Sequence, residues 1–227
     1  MNRQFAFSGL LAGILAMTDI ASASTGSFRL TTIGNSITWH GPNSTLKWNG
    51  QWGMAASHAG ADYSARLALR LEKETGRSVV LQRFNHSKLE QAEAYLPPPV
   101  KAIETARLSD AVVVELGDNA PKDSASIPGF IARYSSLLRA VKPVKGTLFC
   151  TGTWWRREDL NRAMRHACID EGGRFVDLSS LWNRPELKAS ATVKEGHPGV
   201  LDHPGDDGMT AISESIFVEM SRSGIFP

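Results

Sequence analysis

Residues 28–38 read Phe-Arg-Leu-Thr-Thr-Ile-Gly-Asn-Ser-Ile-Thr, and the reading of this stretch decides the fold. Its first half is apolar and β-branched, which is strand composition. The run stops at Gly34, and Asn35 and Ser36 follow where the chain has to turn. A parallel strand ending this way delivers a small hydroxyl to the carboxyl edge of a sheet, outside which open α/β sheets form their clefts. Taken alone, Gly-Asn-Ser is equally a plain turn, since all three are turn formers.

The chain downstream repeats a strand-then-helix pattern. A long loop over 39–60, rich in Trp, Gly, Asn and Ser, leads to a helix over 62–75 with Asp62 as its cap, Leu67, Leu69 and Leu71 toward the sheet, and Gly76 as its stop. Residues 78–84 read as a second strand. A helical stretch from about 88 is broken by Pro97-Pro98-Pro99 and resumes to about 108. Residues 110–116, with Ala-Val-Val-Val, read as a central strand buried on both faces. A helix over 127–142, a strand over 146–151, a helix over 157–171, a short strand over 175–178 and a final helix over 208–221 complete the pattern. Five strands alternating with helices predict one three-layer α/β/α domain on a mainly parallel sheet.

The 227 residues fit one domain of this kind, over 24–227. A formal charge of +2 and the absence of a basic run argue against nucleic acid or a membrane surface as partner. Residues 1–23 stand apart: Arg3, an apolar stretch from Phe5 to Met17, then Ala21-Ser22-Ala23. That order is the pattern of a cleavable signal peptide, with an uncleaved anchor as the competing reading, and it predicts a periplasmic or secreted protein. Export permits a disulfide between Cys150 and Cys168. Geometry argues against one, because ten helical residues cover about 15 Å and bridged Cα atoms lie within about 7 Å. Two buried free thiols are expected.

Each strand ends in polar residues: Ser36; Asn85-His86-Ser87; Asn119; Thr153-Trp154-Trp155. His203-Pro204-Gly205-Asp206 precedes the last helix. A serine hydroxyl needs a base to become a nucleophile, histidine is that base near neutral pH, and acyl transfer needs N–H donors for the oxyanion. Asp206 reads as the cap of the last helix. A metal site from His197, Asp202, His203 and Asp206 is disfavoured, because their spacing fits no fixed helix or strand ligand set. Trp39, Trp48, Trp52, Trp154, Trp155 and Trp182 all fall in loops, where they serve as plugs or as flat platforms for sugar rings.

These residues resemble the SGNH (GDSL-like) hydrolases over nearly the whole mature chain, through four short blocks. Gly34-Asn35-Ser36-Ile37-Thr38 matches Gly-Asp-Ser-x-Thr with Asn for Asp. Gly117-Asp118-Asn119 matches Gly-x-Asn, and His203-Pro204-Gly205-Asp206-Asp207-Gly208-Met209 matches the last block. Two departures stand out. Val200 occupies the position of the family's Asp, three residues before the His, and Glu90 that of the Gly in Asn-x-x-x-x-Gly, which begins at Asn85. The resemblance implies a flavodoxin-like fold and an esterase with Ser36 as nucleophile and His203 as base. Asp202, or a backbone carbonyl, would orient the imidazole. The N–H groups of Ser36 and Glu90 and the Asn119 side chain would hold the oxyanion. Asn35, Trp39, Trp48, Trp52, Asn85, Trp154 and Trp155 are the expected substrate-binding residues. Neither metal nor organic cofactor is implied.

The substrate expected is an O-acetylated carbohydrate or polysaccharide, and the protein a monomer. The alternatives are a non-catalytic glycan-binding module on an eroded SGNH fold and an acyltransferase to sugar hydroxyls.

Overall fold

Strand β1, Phe28–Gly34, is the second strand of a five-stranded parallel sheet. In this computed structural model residues 1 and 26–226 are described, and the expected leader over 1–23 lies, apart from Met1, outside them. The other strands are β2 (Val79–Asn85), β3 (Ala111–Glu115), β4 (Thr147–Thr151) and β5 (Arg174–Val176), in the order β2-β1-β3-β4-β5. This is the doubly wound, flavodoxin-like order, which reverses direction between β1 and β3 and opens a cleft there. Register makes the cleft level: Gly34 lies opposite Asn85 on one side and Glu115 on the other.

Helices α1 (Tyr63–Thr75) and α6 (Asp206–Arg222) cover one face of the sheet. Leu67, Leu71, Ile212 and Ile216 pack there on Leu30 and Val113. Helices α2 (Val100–Arg107), α3 (Ile127–Val141) and α4 (Glu158–Asp170) cover the other, on Ile33, Val112 and Val114. Burial of alternate β3 residues on opposite faces explains its unbroken Ala-Val-Val-Val. The hydroxyls of β1 are paired across the layers, Thr31 Oγ1 with Ser109 Oγ at 2.8 Å and Thr32 Oγ1 with Ser64 Oγ at 3.2 Å.

Several local readings are corrected. Leu69 is exposed whereas Leu67 and Leu71 are buried, because at 100° per residue i and i+2 face apart. The helix expected from 88 shrinks to a single 3₁₀ turn, Ser87–Leu89. Asp206 is not the cap of α6; Gly205 holds that place, and the Asp206 carboxylate accepts from Ser57 N at 2.9 Å and Ser57 Oγ at 2.6 Å, tying the 39–60 loop to α6. The cysteines are not free. Cys150 and Cys168 form a disulfide with their Cα atoms 6.2 Å apart. The loop 152–157 starts α4 well beyond the end of β4, so the helix descends to the level of Cys150 only near its own C-terminus.

Candidate active site

Ser36 stands on the turn that follows β1. Asn35 N–H donates to Glu115 O at 3.2 Å, and Asn35 Oδ1 accepts from Ile37 N at 2.9 Å, closing a tight turn around the serine. Gly34 is required beneath it, since a Cβ there would lie 2.0 Å from Thr38 Oγ1 and 2.4 Å from Glu115 O.

His203 arrives from the other end of the chain. Helix α5, Pro198–Leu201, is one turn capped by the His197 side chain, whose Nδ1 accepts from Gly199 N at 3.1 Å. The turn tightens at its end, so that His203 N–H bonds to Val200 O. This leaves the Gly199 carbonyl for the His203 ring, with Nδ1 and O 2.6 Å apart. A carbonyl only accepts, so Nδ1 carries the proton and Nε2 presents its lone pair. Nε2 lies 2.8 Å from Ser36 Oγ. Burial holds the imidazole pKa below its ordinary value, only partly offset by the bond to Gly199, which keeps the ring a neutral base near pH 7.

The ring's orienting partner is therefore Gly199 O, four residues before it, and not Asp202. The Asp202 carboxylate points away, accepting from Lys188 Nζ at 2.5 Å and from Trp155 Nε1 at 2.6 Å. A residue adjacent to His203 leaves the chain in a different direction from the imidazole, which puts its carboxylate on the outer side of the loop. Asp202→Asn accordingly changes kcat by no more than about threefold, in contrast to the roughly 10⁴-fold loss when a carboxylate that holds a catalytic His is amidated. Steady-state kinetics of the variant check this.

The oxyanion side also differs from expectation. The Glu90 N–H is consumed by Ser87 O at 3.0 Å within the 3₁₀ turn, so it is no donor to the cleft. Among the described residues the Ser36 N–H has no acceptor. Asn119 lines the cleft, and its Nδ2 donates one hydrogen to Glu90 Oε2 at 2.7 Å. The Ser36 N–H and the second Asn119 N–H are the donors that remain.

Beneath this side lies a buried acidic group. Glu115 accepts from Thr38 Oγ1 at 2.9 Å, with the Asp118 charge close by. Burial raises both carboxyls, and the Asp118 charge raises Glu115 further. Asp118 Oδ1 also accepts from Trp155 N at 3.1 Å. Among the described residues no group of acidic, histidine or cysteine side chains is arranged to hold a metal ion.

A cleft of about 500 Å³ opens over Ser36 and His203, lined also by His40, Leu46, Met54, Ser87, Lys88, Gln91, Ala92 and Asn119. The expected tryptophans do not line it. Trp48 donates its indole N–H to His40 O, Trp52 to Ala56 O and Trp154 to Asp202 O. Trp155 stands edge-on to the His203 ring, with centroids 5.1 Å apart, behind the base. Their N–H groups are satisfied internally, while Trp48 and Trp52 line a neighbouring cleft of about 350 Å³ and Trp154 and Trp155 one of about 170 Å³. Trp39 lies outside the cleft lining as well, and its carbonyl accepts from Asn85 Nδ2 at 2.7 Å. Asn85 Oδ1 accepts from Ser87 N and Oγ, and Asn35 is fully buried, so the bonds that both make are internal ones. His40, Lys88 and Gln91 enter the cleft from the first loop, the 3₁₀ turn and the segment just after it, none of which has a periodicity to mark a face.

Neither a family model nor a curated protein matches the sequence. Solved structures do match the fold. A family two carbohydrate esterase from Clostridium thermocellum, in complex with cellohexaose, superposes with a TM-score of 0.58 at 15% identity over 91% of this chain and 68% of its own. A two-domain esterase active on acetylated mannans, co-crystallised with mannopentaose, gives 0.58 at 12% identity over 90% of this chain; this chain spans about half of that one, 52%. The psychrotrophic esterase EstA from Pseudoalteromonas sp. gives 0.55 at 10% identity over 86% of this chain and 97% of its own. The chain has the SGNH (GDSL-like) hydrolase fold.

Proposed function

We propose that this protein is an exported serine esterase that removes acyl groups, O-acetyl foremost, from a carbohydrate. The observation that carries the reading is the 2.8 Å contact of Ser36 Oγ with a His203 ring whose tautomer is set by Gly199 O, at the floor of an open cleft. His203 Nε2 takes the hydroxyl proton as Ser36 Oγ attacks the acyl carbon. Negative charge then develops on the carbonyl oxygen, toward the Ser36 and Asn119 N–H groups. His203 returns the proton to the departing sugar oxygen, and water repeats the sequence on the acyl-serine.

Ser87, Lys88, Gln91 and Asn119 give the cleft a polar lining suited to hydroxyl-rich substrates. The esterases of the same fold that were solved with cellohexaose and mannopentaose support a glycan substrate. Export is supported by the leader-like sequence over 1–23 and by the Cys150–Cys168 disulfide, since such bonds persist in oxidising compartments. The reading is tested by acetate release from an aryl acetate and an acetylated polysaccharide, together with labelling by an alkyl phosphonate mapped by mass spectrometry. We expect both activities and one labelled residue, Ser36. A protein that neither releases acetate nor takes the label is not a serine esterase.

A further inference from the structure

Four N–H groups converge on the Glu90 carboxylate. Oε1 accepts from Gly117 N at 2.6 Å, Asn119 N at 3.1 Å and, at 3.4 Å, Asn35 Nδ2. Oε2 accepts from Asn119 Nδ2 at 2.7 Å. Glu90 is fully buried. Every partner is a donor, so the ionised carboxylate, which only accepts, is the form that fits. One consequence follows for Asn119. With Nδ2 pinned to a carboxylate, its amide cannot flip, because flipping would set its oxygen against Oε2. The second Nδ2 hydrogen is thereby fixed on the cleft side. The Glu90 departure also pairs with the Asn that stands for Asp at position 35: the carboxylate absent there is supplied at position 90, and Asn35 donates to it.

We propose that Glu90 is a positioning residue that aims the Asn119 oxyanion donor and holds the Gly117–Asn119 turn, in place of the backbone donor expected at its position. This rests on the esterase reading of the site. The charged and titratable groups around Glu90 come from each neighbouring element. Asp118 lies on the loop after β3, Glu115 is on β3 itself, and Lys88 is exposed on the same 3₁₀ turn. Arg133 on α3 directs its Nε to Leu89 O at 3.4 Å. Burial first, and the Asp118 charge in addition, push the Glu90 carboxyl up to about 7, against the pull of its N–H partners. Protonation replaces an acceptor with a donor facing donors, so Asn119 is released as the pH falls through that value.

The test begins with phosphonate labelling of the wild type and then takes kcat and KM on an aryl acetate from pH 5 to 9. Removing one oxyanion donor costs about 10²–10³ in kcat, and misaiming it costs part of that. Glu90→Gln keeps the shape but sets an amide N–H₂ against the donors. We expect kcat at pH 8 to fall about 10- to 100-fold with KM within about twofold. Wild type should show two steps on its acid limb, near 7 and at the lower His203 value, whereas Glu90→Gln shows only the lower one. Should Glu90→Gln not fold, Asn119→Ala decides, because a carboxylate acting through Asn119 leaves no step near 7 in that variant either. A labelled, active enzyme whose limb near 7 persists in Asn119→Ala, or whose kinetics are unmoved by Glu90→Gln, overturns the positioning role alone. Absence of labelling and turnover overturns the esterase reading and this inference with it.

Discussion

Ser36→Ala and His203→Ala each lower kcat on an activated acetyl ester by about 10⁴- to 10⁶-fold, the scale seen when either member of a nucleophile–base pair is removed. The size follows from what each atom does. Without Oγ there is no acyl-enzyme, and only the oxyanion donors remain to assist direct attack by water. Without the imidazole the hydroxyl keeps its proton during attack, and the water that cleaves the acyl-serine has no base either. Because the two act as one unit, the double variant is no slower than the slower single variant by more than about fivefold. KM is expected to stay within a few-fold, since Ser87, Lys88 and Gln91 line the cleft apart from the reacting pair. Single-turnover kinetics and glycan titration of the three variants check this; a Ser36→Ala protein at wild-type rate removes the mechanism. A carbonyl in place of a carboxylate behind His203 bears on the absolute rate. Gly199 O sets the tautomer, as an Asp would, yet brings no full charge to stabilise the imidazolium.

How much of this was legible in the chain depended on distance along it. The strand ends were, because a parallel sheet places every carboxyl end on one edge whatever the intervening sequence, and Ser36 and His203 meet across 167 residues for that reason. The direction in which a side chain leaves an irregular loop was not. Asp202 and His203 are neighbours in sequence, but only the fold of α5 shows that the ring turns back to Gly199 O while the carboxylate turns out to Lys188. A weak signal existed, since His197-Pro198 is a helix start and places a carbonyl one turn before His203. Glu90 was read through its backbone N–H, and its side chain proved the more informative part. The clue lay in two departures of opposite sense, a carboxylate lost at 35 and one gained at 90, which local reading treats as separate events. For the tryptophans, composition reports that rings are present but not which cleft each one lines; Trp48 and Trp52 line one beside the Ser36 cleft, sharing Leu46 with it.

Replacing Cys150 and Cys168 together with Ala destabilises the protein by about 3 kcal/mol, the chain-entropy value for a closed loop of this length, the two residues being 18 apart. For a domain of about 200 residues this lowers Tm by about 6–12 °C. The bridge joins the strand next to β3 to the helix that covers it, so it fixes the height of α4 on the sheet. Both sulfurs belong to the core formed with Leu148, Leu160 and Met164, and neither cysteine is exposed. Two consequences separate a structural bond from a redox switch. A mild reductant leaves the folded protein bridged, because thiolate attack requires access to the sulfur. Catalysis at 25 °C in the double variant stays within about twofold of wild type, since no residue of β4 or α4 lines the cleft over Ser36. Thermal unfolding with and without reductant, followed alongside esterase activity, reads all three. A bond that opens in the native state and changes turnover as it does so would be regulatory, and the stabilising account would fail. Stabilisation of this size is a large fraction of the 5–15 kcal/mol that holds an ordinary domain together. A chain of this sequence kept in a reducing compartment therefore folds with a much smaller margin, which ties the disulfide to the proposed export.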